Sequence, residues 1–471
     1  MFGITRLFRF GVTRFSVTLI LACSGVAAFF PASAHADDRA VVPVTLFENV
    51  RVFDGVSDGL SQTSYVLVRG NIIEEISERP IPLTDNPSIT IIPGEGRVLM
   101  PGLIDAHWHT MMVAVSMNTL LTADIGYLVL IAGAEAERTL MRGFTSVRDL
   151  AGPSFALKRA IDEGVVVGPR IWPSGAMISQ TSGHGDFRMR YEIPRGPDAE
   201  LSRGEIVGGG AIADGVDEVL RRTREQLMLG ASQIKLAAGG GVSSMYDPLD
   251  VSQYTAEEFK AAVEAADNWG TYVTIHAYTP KAIQTAIQAG VKVVDHGQLI
   301  DEETAIMMSE NGTWLSIQPF LDDEDSTPFP EGSYNRAKQL QVAKGTERAI
   351  ELGIKYKLNI AWGTDTLFDA ARATRQGAQL AKMVRWFSPG DVLKMATAKN
   401  AELLALSGLR SPYQGKLGVV EKGAMADLLL VNGNPLDNIG LLADPQRNLT
   451  VIMKNGVIYK NLVTVASSAT E

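Results

Sequence analysis

Residues 101–109 read PGLIDAHWH, an apolar run that ends in two histidines separated by a single residue. Side chains at positions i and i+2 of a β-strand project from the same face of that strand. The imidazoles of His107 and His109 are therefore expected to point together from a strand end, which is an arrangement typical of metal ligands. The stretch predicts a domain that carries its functional site where its strands end.

Downstream of this stretch, short β-rich runs alternate with longer helical stretches as far as residue 407. Thr255, for example, precedes the alanine-rich segment 256–269 as an N-terminal cap would. Such alternation predicts parallel βαβ units, and eight of these units close into a barrel. The predicted strand ends are residues 105–107, 145–148, 170–172, 233–235, 273–276, 293–296, 315–317 and 360–363.

The two ends of the chain have a different pattern, with short β segments and turn residues before residue 100 and again after residue 414. We expect both ends to build one small β-sandwich domain. The predicted fold class is α/β, a (β/α)8 TIM-like barrel with this second domain attached. The predicted boundaries are a signal peptide at 1–36, sandwich parts at 37–100 and 411–471, and the barrel at 101–410.

The first 36 residues have the layout of a secretory signal, with arginines, an apolar run over residues 15–30 and the small-x-small site Ala34-His35-Ala36. A helix that spans a bilayer needs about 20 apolar residues, and this run is shorter. A retained signal anchor and lipoprotein processing at Cys23 are the alternatives. We expect cleavage after Ala36 and a periplasmic or secreted protein with no stable membrane span after processing. Cys23 is the only cysteine, so the processed chain has none, which suits an exported protein.

Composition narrows the class of partner. The chain has 471 residues, of which 46% are hydrophobic, so it can bury a large core. A formal net charge of -10 disfavours nucleic acid and anionic membranes, which repel an acidic surface. We therefore expect the substrate to be a small molecule or a short peptide. The sequence leaves open whether the protein forms a homo-oligomer. Nucleotide binding and serine catalysis find no support, because the glycine triplets at 208–210 and 239–241 lack a phosphate-loop lysine and no Gly-x-Ser-x-Gly occurs.

The remaining candidate ligands also end predicted strands. His276 and His296 do so, and Asp365 follows the last strand as the obvious carboxylate. Imidazoles suit zinc and neighbouring metals. Lys235 lies on another short strand, where it is either a salt-bridged or surface lysine or a neutral amine that adds carbon dioxide to form a carbamate.

Taken in order, residues 101–109, Lys235, His276, His296 and residues 363–365 resemble the amidohydrolase superfamily, particularly its binuclear-metal members with a carboxylated lysine. The resemblance covers roughly residues 41 to 465. One branch of this superfamily has similar sequences at residues 146–149, 181–186 and 234–241. It is the imidazolonepropionase-related branch, which includes prolidase-like dipeptidases and carboxypeptidase-like ochratoxin amidohydrolases.

This resemblance implies two divalent ions, expected to be zinc, and a shared hydroxide that attacks the substrate. One ion would be held by His107, His109 and Asp365, and the other by His276 and His296, with the carbamate of Lys235 between them. Asp365 would also move the proton to the leaving nitrogen.

Two further roles concern the substrate. His184 would donate a hydrogen bond to the scissile carbonyl, its alternative being a loop histidine held by Asp186. A free carboxylate on the substrate would need hydrogen-bond donors, and the candidates are Arg188, Arg190, Tyr191 and Tyr246. Of these we favour Tyr246. Arg148 is expected to be structural, and the loop-like inserts 204–215 and 322–333 are expected to be solvated surface.

These observations favour a secreted amidohydrolase that releases a C-terminal amino acid, either as a dipeptidase or by cleaving N-acyl amino acids. A cyclic amide, lactone or deaminating hydrolase is the second hypothesis, although Lys235 argues against a mononuclear deaminase. The third, a non-catalytic exported metal-binding protein, is disfavoured because a structural zinc site is closed by four ligands.

Overall fold

The computed structural model describes residues 42–83, 89–193 and 200–463 of the chain. The predicted signal peptide and Cys23 lie outside the described residues. Across the ranges that are described, no helix combines the length and the apolar character that crossing a membrane requires.

The elements follow one another in the order that the sequence pattern predicts, with strands at both ends and alternating strands and helices between them. In chain order the strands are β1 Val44–Val52, β2 Thr63–Arg69, β3 Ile72–Ser77, β4 Ile89–Pro93, β5 Val98–Pro101, β6 Leu103–Trp108, β7 Phe144–Asp149, β8 Arg170–Pro173, β9 Met177–Ser179, β10 Gly210–Ile212, β11 Ile234–Ala237, β12 Val273–Ala277, β13 Val293–His296, β14 Trp314–Ile317, β15 Asn359–Trp362, β16 Leu428–Val431, β17 Leu449–Lys454 and β18 Val457–Asn461. The α-helices are α1 Met117–Thr122, α2 Ile125–Met141, α3 Phe155–Asp162, α4 Arg203–Ile206, α5 Val216–Leu229, α6 Ala256–Asn268, α7 Pro280–Gln288, α8 Glu302–Glu310, α9 Tyr334–Lys355, α10 Ala370–Ala373, α11 Gln376–Ala381, α12 Pro389–Lys394, α13 Asn400–Ala405 and α14 Pro445–Asn448.

The barrel is built from parallel strands in two hydrogen-bonded groups, β6-β7-β8 and β10-β9-β11-β12-β13-β14-β15. Asn400 connects β6 to β15, because its side-chain amide donates to the carbonyls of Ile104 (2.7 Å) and Trp362 (2.8 Å). The eight predicted strand ends fall on β6, β7, β8 and β11 to β15. The predicted α/β class with a (β/α)8 barrel is therefore confirmed.

The insert at 204–215 is not the solvated loop that we expected. It contains part of α4 and the buried strand β10, which pairs in parallel with β9. A Cβ at Gly210 would approach the Gly185 carbonyl oxygen to 2.3 Å, so glycine there permits close packing rather than flexibility.

The β-rich domain combines both ends of the chain in one sheet of order β18-β17-β16-β5-β1-β2-β3, with β4 paired to β1. Alternate residues of β16 face different cores: Leu428 and Leu430 pack within the β-rich domain, whereas Leu429 packs against the barrel core. A strand covered on both faces has no polar alternation, which explains the continuous apolar run of β16.

The predicted cap of α6 is confirmed. The Thr255 hydroxyl accepts a hydrogen bond from the Glu258 amide, and the Glu258 carboxylate accepts from the Thr255 amide. The Ser333 hydroxyl caps the N-terminus of α9 by accepting a hydrogen bond from the Arg336 amide. Each such cap stabilises its helix by about 1 kcal/mol.

Candidate metal centre

The predicted ligands meet at the carboxyl ends of the barrel strands. His107 lies in β6, Lys235 in β11, His276 in β12 and His296 at the end of β13, and His109 and Asp365 follow β6 and β15. Parallel strands of a closed barrel bring these ends to one face, so residues far apart in the chain become neighbours.

His107, His109 and Asp365 form a compact cluster. The Asp365 Oδ1 atom lies 2.8 Å from Nε2 of His109 and 3.2 Å from Nε2 of His107. One potential ligand atom from each residue lies within 4.8 Å of the other two. Nδ1 of His109 is buried with no hydrogen-bond partner among the described residues. Two imidazoles, a carboxylate and an unpartnered buried nitrogen fit a zinc-type ion.

The other two histidines lie beside this cluster. The ring centroids of His107 and His296 are 4.9 Å apart, and those of His296 and His276 are 4.3 Å apart. The imidazoles of His296 and His276 are therefore close enough to the cluster to be candidate ligands for a second ion.

Lys235 reaches the bottom of the site as one partner of a buried ion pair. Its Nζ lies 2.5 Å from Asp295 Oδ2, and Asp295 Oδ1 lies 2.5 Å from the Arg148 guanidinium. This corresponds to the salt-bridged alternative that the sequence left open. Burial lowers the pKa of Lys235, although Asp295 partly offsets that effect. A lysine that loses its proton more readily than usual is the kind that carbon dioxide can carboxylate.

Burial holds the imidazoles of His107, His276 and His296 in the neutral form that metal binding needs. Burial lowers the pKa of His107 to about 4 and the pKa values of His276 and His296 well below the ordinary range. Burial alone raises the pKa of Asp365, but the neighbouring histidines outweigh it and hold that pKa well below its usual range. At neutral pH these three histidines offer neutral nitrogens and Asp365 offers an anionic carboxylate.

Two candidate ligands have an unusual backbone conformation. The φ angle is +86° at His296 and +52° at Asp365, in the left-handed region that residues with a Cβ rarely occupy. Such strain persists only where the surrounding structure enforces it, and it clusters at functional sites.

Two buried polar residues that sequence reasoning missed hold the ligands in place. The Gln318 side chain contacts Nδ1 of His296 at 2.8 Å and Nδ1 of His107 at 3.2 Å. The Asp105 carboxylate accepts from the His107 amide (3.0 Å) and from the amide (3.2 Å) and hydroxyl (2.9 Å) of Thr364. Contacts of this type orient ligand rings and raise metal affinity. The signal for Gln318 was its place directly after a predicted strand.

His184 lies against His276, one of the two histidines beside the cluster. Its ring stacks on His276 with centroids 3.9 Å apart and an interplanar angle of 16°. Nδ1 lies 3.0 Å from the Ser244 hydroxyl and 3.8 Å from Asp247. The alternative in which Asp186 holds this ring is wrong, because the Asp186 carboxylate instead pairs with Arg188 at 2.6 Å.

A cavity of about 470 Å³ opens above these residues. Its wall is largely apolar and aromatic. The larger side chains of this apolar part are Met112, Met117, Met177, Phe187, Val242, Tyr278, Phe320, Leu321, Phe329, Val342, Leu367 and Phe368. Tyr278 could have been anticipated, because it lies two residues after His276 and so shares its face.

The insert at 322–333, expected to be solvated surface, contributes several residues to the cavity wall, among them Thr327 and Phe329. Among the described residues, Arg372 is the one arginine that lines the cavity. Its guanidinium donates to the Thr327 hydroxyl at 2.7 Å and pairs with Asp369 at 3.0 Å. The prediction holds for exposed positions such as Asp322 and Glu331 and is wrong for the residues in the cavity wall, because sequence shows the polarity of a loop and not the surface over which it folds.

The structure does not bring Tyr246 to the cavity. Its hydroxyl donates to the Arg188 carbonyl at 2.7 Å, and Tyr246 is not among the lining residues. Arg190 and Tyr191 are exposed in a short 3-10 helix, and Arg188 is paired with Asp186. Arg148 has the structural place expected of it, fully buried and bonded to Asp295 and to the Ala106 carbonyl.

Comparison with known proteins extends these observations. A model described as the amidohydrolase family matches residues 98–463. The ochratoxinase of Aspergillus niger is 34% identical over 379 residues, which span 77% of this chain and 76% of that protein. A prolidase crystallised with N-methylphosphonate-L-proline is 31% identical, with a TM-score of 0.81 over 89% of this chain and 100% of its own. A Xaa-Pro dipeptidase with bound methionine is 28% identical, with a TM-score of 0.74 and the same coverage.

Proposed function

This chain belongs to the amidohydrolase family, and from that premise we propose that it is an exported, binuclear-metal hydrolase that cleaves the amide bond to a C-terminal amino acid. The observation that carries the proposal is the cluster of His107, His109 and Asp365 with two further histidines at the floor of a large cavity. The similarity to an ochratoxinase and to dipeptidases supports an amide as the scissile bond.

The donor set fits two divalent ions. His107, His109 and Asp365 would hold the first, His276 and His296 the second, and Lys235 would contribute to both once it is carboxylated. When bound, such ions supply Lewis acidity that lowers the pKa of water and polarises the scissile carbonyl. We propose zinc because neutral imidazoles with one carboxylate suit it.

The residues of the chain would supply the proton chemistry. Asp365 Oδ1 is engaged by two imidazoles, which leaves Oδ2 to accept a proton from the attacking water and return it to the leaving nitrogen. With the Ser244 hydroxyl donating to Nδ1 of His184, the neutral ring would carry its single proton on Nε2, which is then the donor available to the scissile carbonyl oxygen.

The cavity favours an apolar group on at least one side of the scissile bond. Apart from the candidate ligand Asp365, its acidic lining residues are already paired with basic side chains: Asp323 and Asp325 with Lys382, and Asp369 with Arg372. A basic side chain would therefore find no unpaired carboxylate among these three. At about 470 Å³ the space also exceeds the needs of the smallest dipeptides, so bulky N-acyl amino acids fit better.

One observation favours a second candidate, the hydrolysis of cyclic amides or lactones. Within the described ranges, both Arg372 and Lys235 of the lining are engaged by carboxylates, so neither is free to receive the carboxylate of a substrate. A neutral ring would not need such a partner.

The decisive experiment measures amino acid release from a panel of dipeptides and N-acyl amino acids, with zinc and bicarbonate present. We expect the fastest release from bulky N-acyl amino acids with an apolar side chain, and a chelator should remove more than about 95% of the rate. Release that is insensitive to chelation would contradict the metal site. No release by a protein that binds two ions would favour the second candidate, which lactone substrates then test.

The place of Lys235 can be tested by metal content. We expect Lys235→Ala to retain about one ion per chain instead of two, because the second site would lose its bridging ligand. Metal analysis after dialysis provides the measurement, with Lys344→Ala, at an exposed position of α9, as the control. Two ions bound to Lys235→Ala with unchanged affinity would exclude the bridge.

A further inference from the structure

A buried lysine outside the ligand set contacts the loop behind His184. Lys338 lies in α9 and is 4% exposed. Its Nζ donates to three backbone carbonyls, those of Gly241 (2.5 Å), Ser244 (3.0 Å) and Asp247 (3.3 Å). A buried ammonium is costly unless its protons are used, and here three carbonyls of one short segment use them.

The same segment, the 241–247 loop, forms the wall against which His184 packs. The Ser244 hydroxyl contacts His184 Nδ1, and the Asp247 carboxylate accepts from the Gly241 amide at 2.8 Å. A Cβ at Gly241 would stand 1.8 Å from His184 Nδ1. This close approach explains the glycine at position 241, and a small shift of the loop would move the imidazole.

A second residue of α9 contacts the loop in a related way. The Asn335 amide donates to the carbonyls of Val242 (2.6 Å) and Ser244 (3.3 Å). Asn335 and Lys338 are three positions apart and therefore share a helix face. The first turns of α9 thus hold the loop from one side, while His184 packs on it from the other.

We propose that Lys338 is a positioning residue that acts on the reaction through His184. Its hydrogen bonds to the three carbonyls fix the position of the loop. The loop in turn keeps the His184 ring stacked on His276, with Nε2 turned to the substrate. The inference rests on the proposed function, in which His184 donates to the scissile carbonyl. Nothing in it requires Lys338 to touch substrate or metal.

A double-mutant cycle tests this coupling. We expect Lys338→Met to lower kcat about 10- to 50-fold with KM and metal content little changed, because a misplaced donor loses transition-state stabilisation. In a His184→Ala background the same substitution should change kcat less than about twofold, since the group it positions is gone. Lys344→Met, exposed on the same helix, is the matched control and should stay within about twofold of wild type in both backgrounds.

Hydrogen exchange provides a readout that needs no substrate. Amides of residues 239–250 should exchange about tenfold faster in Lys338→Met, because the buried carbonyls lose their donor. If Lys338→Met does not fold, Asn335→Ala serves instead, with the same signature at a smaller size. Unchanged exchange, or kinetic effects that multiply fully with His184→Ala, would overturn the inference.

Failure of the proposed function has a different signature. Wild-type protein that releases no amino acid from the panel contradicts the amide assignment, yet exchange in the 239–250 segment still reports whether Lys338 holds the loop. The cycle is then measured on the lactone or cyclic amide that the enzyme does hydrolyse.

Discussion

Asp365→Asn is expected to lower kcat by about 10³-fold or more. Asparagine keeps the size of the side chain but removes the negative charge and the ability to accept and return a proton. The residue is positioned by contacts to His107 and His109 and by its backbone amide, which donates to the His107 carbonyl at 2.8 Å. We also expect weaker metal binding, because a neutral amide is a poorer ligand than a carboxylate.

The matched control for this variant is Asp369→Asn, four residues further along the same loop. Asp369 lines the cavity but caps α10, accepting from the amides of Ala371 and Arg372, and asparagine caps helices about as well. We expect Asp369→Asn to keep kcat within about threefold of wild type, with any larger change confined to KM because Arg372 loses its carboxylate partner. Steady-state kinetics and metal analysis of both variants provide the measurement. Asp365→Asn with more than a tenth of wild-type kcat would exclude the proton-transfer role.

Gly363→Ala is expected to abolish metal binding at the first site and to destabilise the barrel. A Cβ at this position would lie 2.4 Å from the His107 amide nitrogen and 2.6 Å from the His107 Cβ. These neighbours are backbone or bound directly to it, so they cannot rotate away as the end of a flexible side chain could. The strand ends carrying His107 and Asp365 would have to separate.

We expect the free energy of unfolding to fall by about 2–3 kcal/mol, as for overpacking in a tight core. Activity should fall at least about 100-fold, because a displacement of about 1 Å at a catalytic site has that effect. Thermal unfolding, metal content and kcat are the measurements. Gly59→Ala is the control, since nothing lies within 4 Å of a Cβ at Gly59. A Gly363→Ala enzyme with wild-type metal content would contradict the proposed closeness of the two strand ends.

The barrel strands and the candidate ligands could be predicted from the sequence alone. Strand and helix periodicities are local properties, so the alternating pattern indicated βαβ units without any knowledge of contacts. Histidines 107 and 109 were recognisable because the period of a strand is two. The order of parallel strands then made His276, His296 and Asp365 neighbours, because a closed barrel gathers its carboxyl strand ends on one face.

Only the tertiary structure decided what surrounds these ligands. The ion pair of Lys235 with Asp295, the contacts of Gln318, the approach of Gly363 to His107 and the attachment of Lys338 to the 241–247 loop all join segments distant in sequence. The same holds for Tyr246, which a local pattern favoured but whose hydroxyl the fold directs to the Arg188 carbonyl. Periodicity determines which side chains leave a strand in the same direction, whereas hydrogen bonds and steric contacts between distant segments depend on how the loops fold over the barrel.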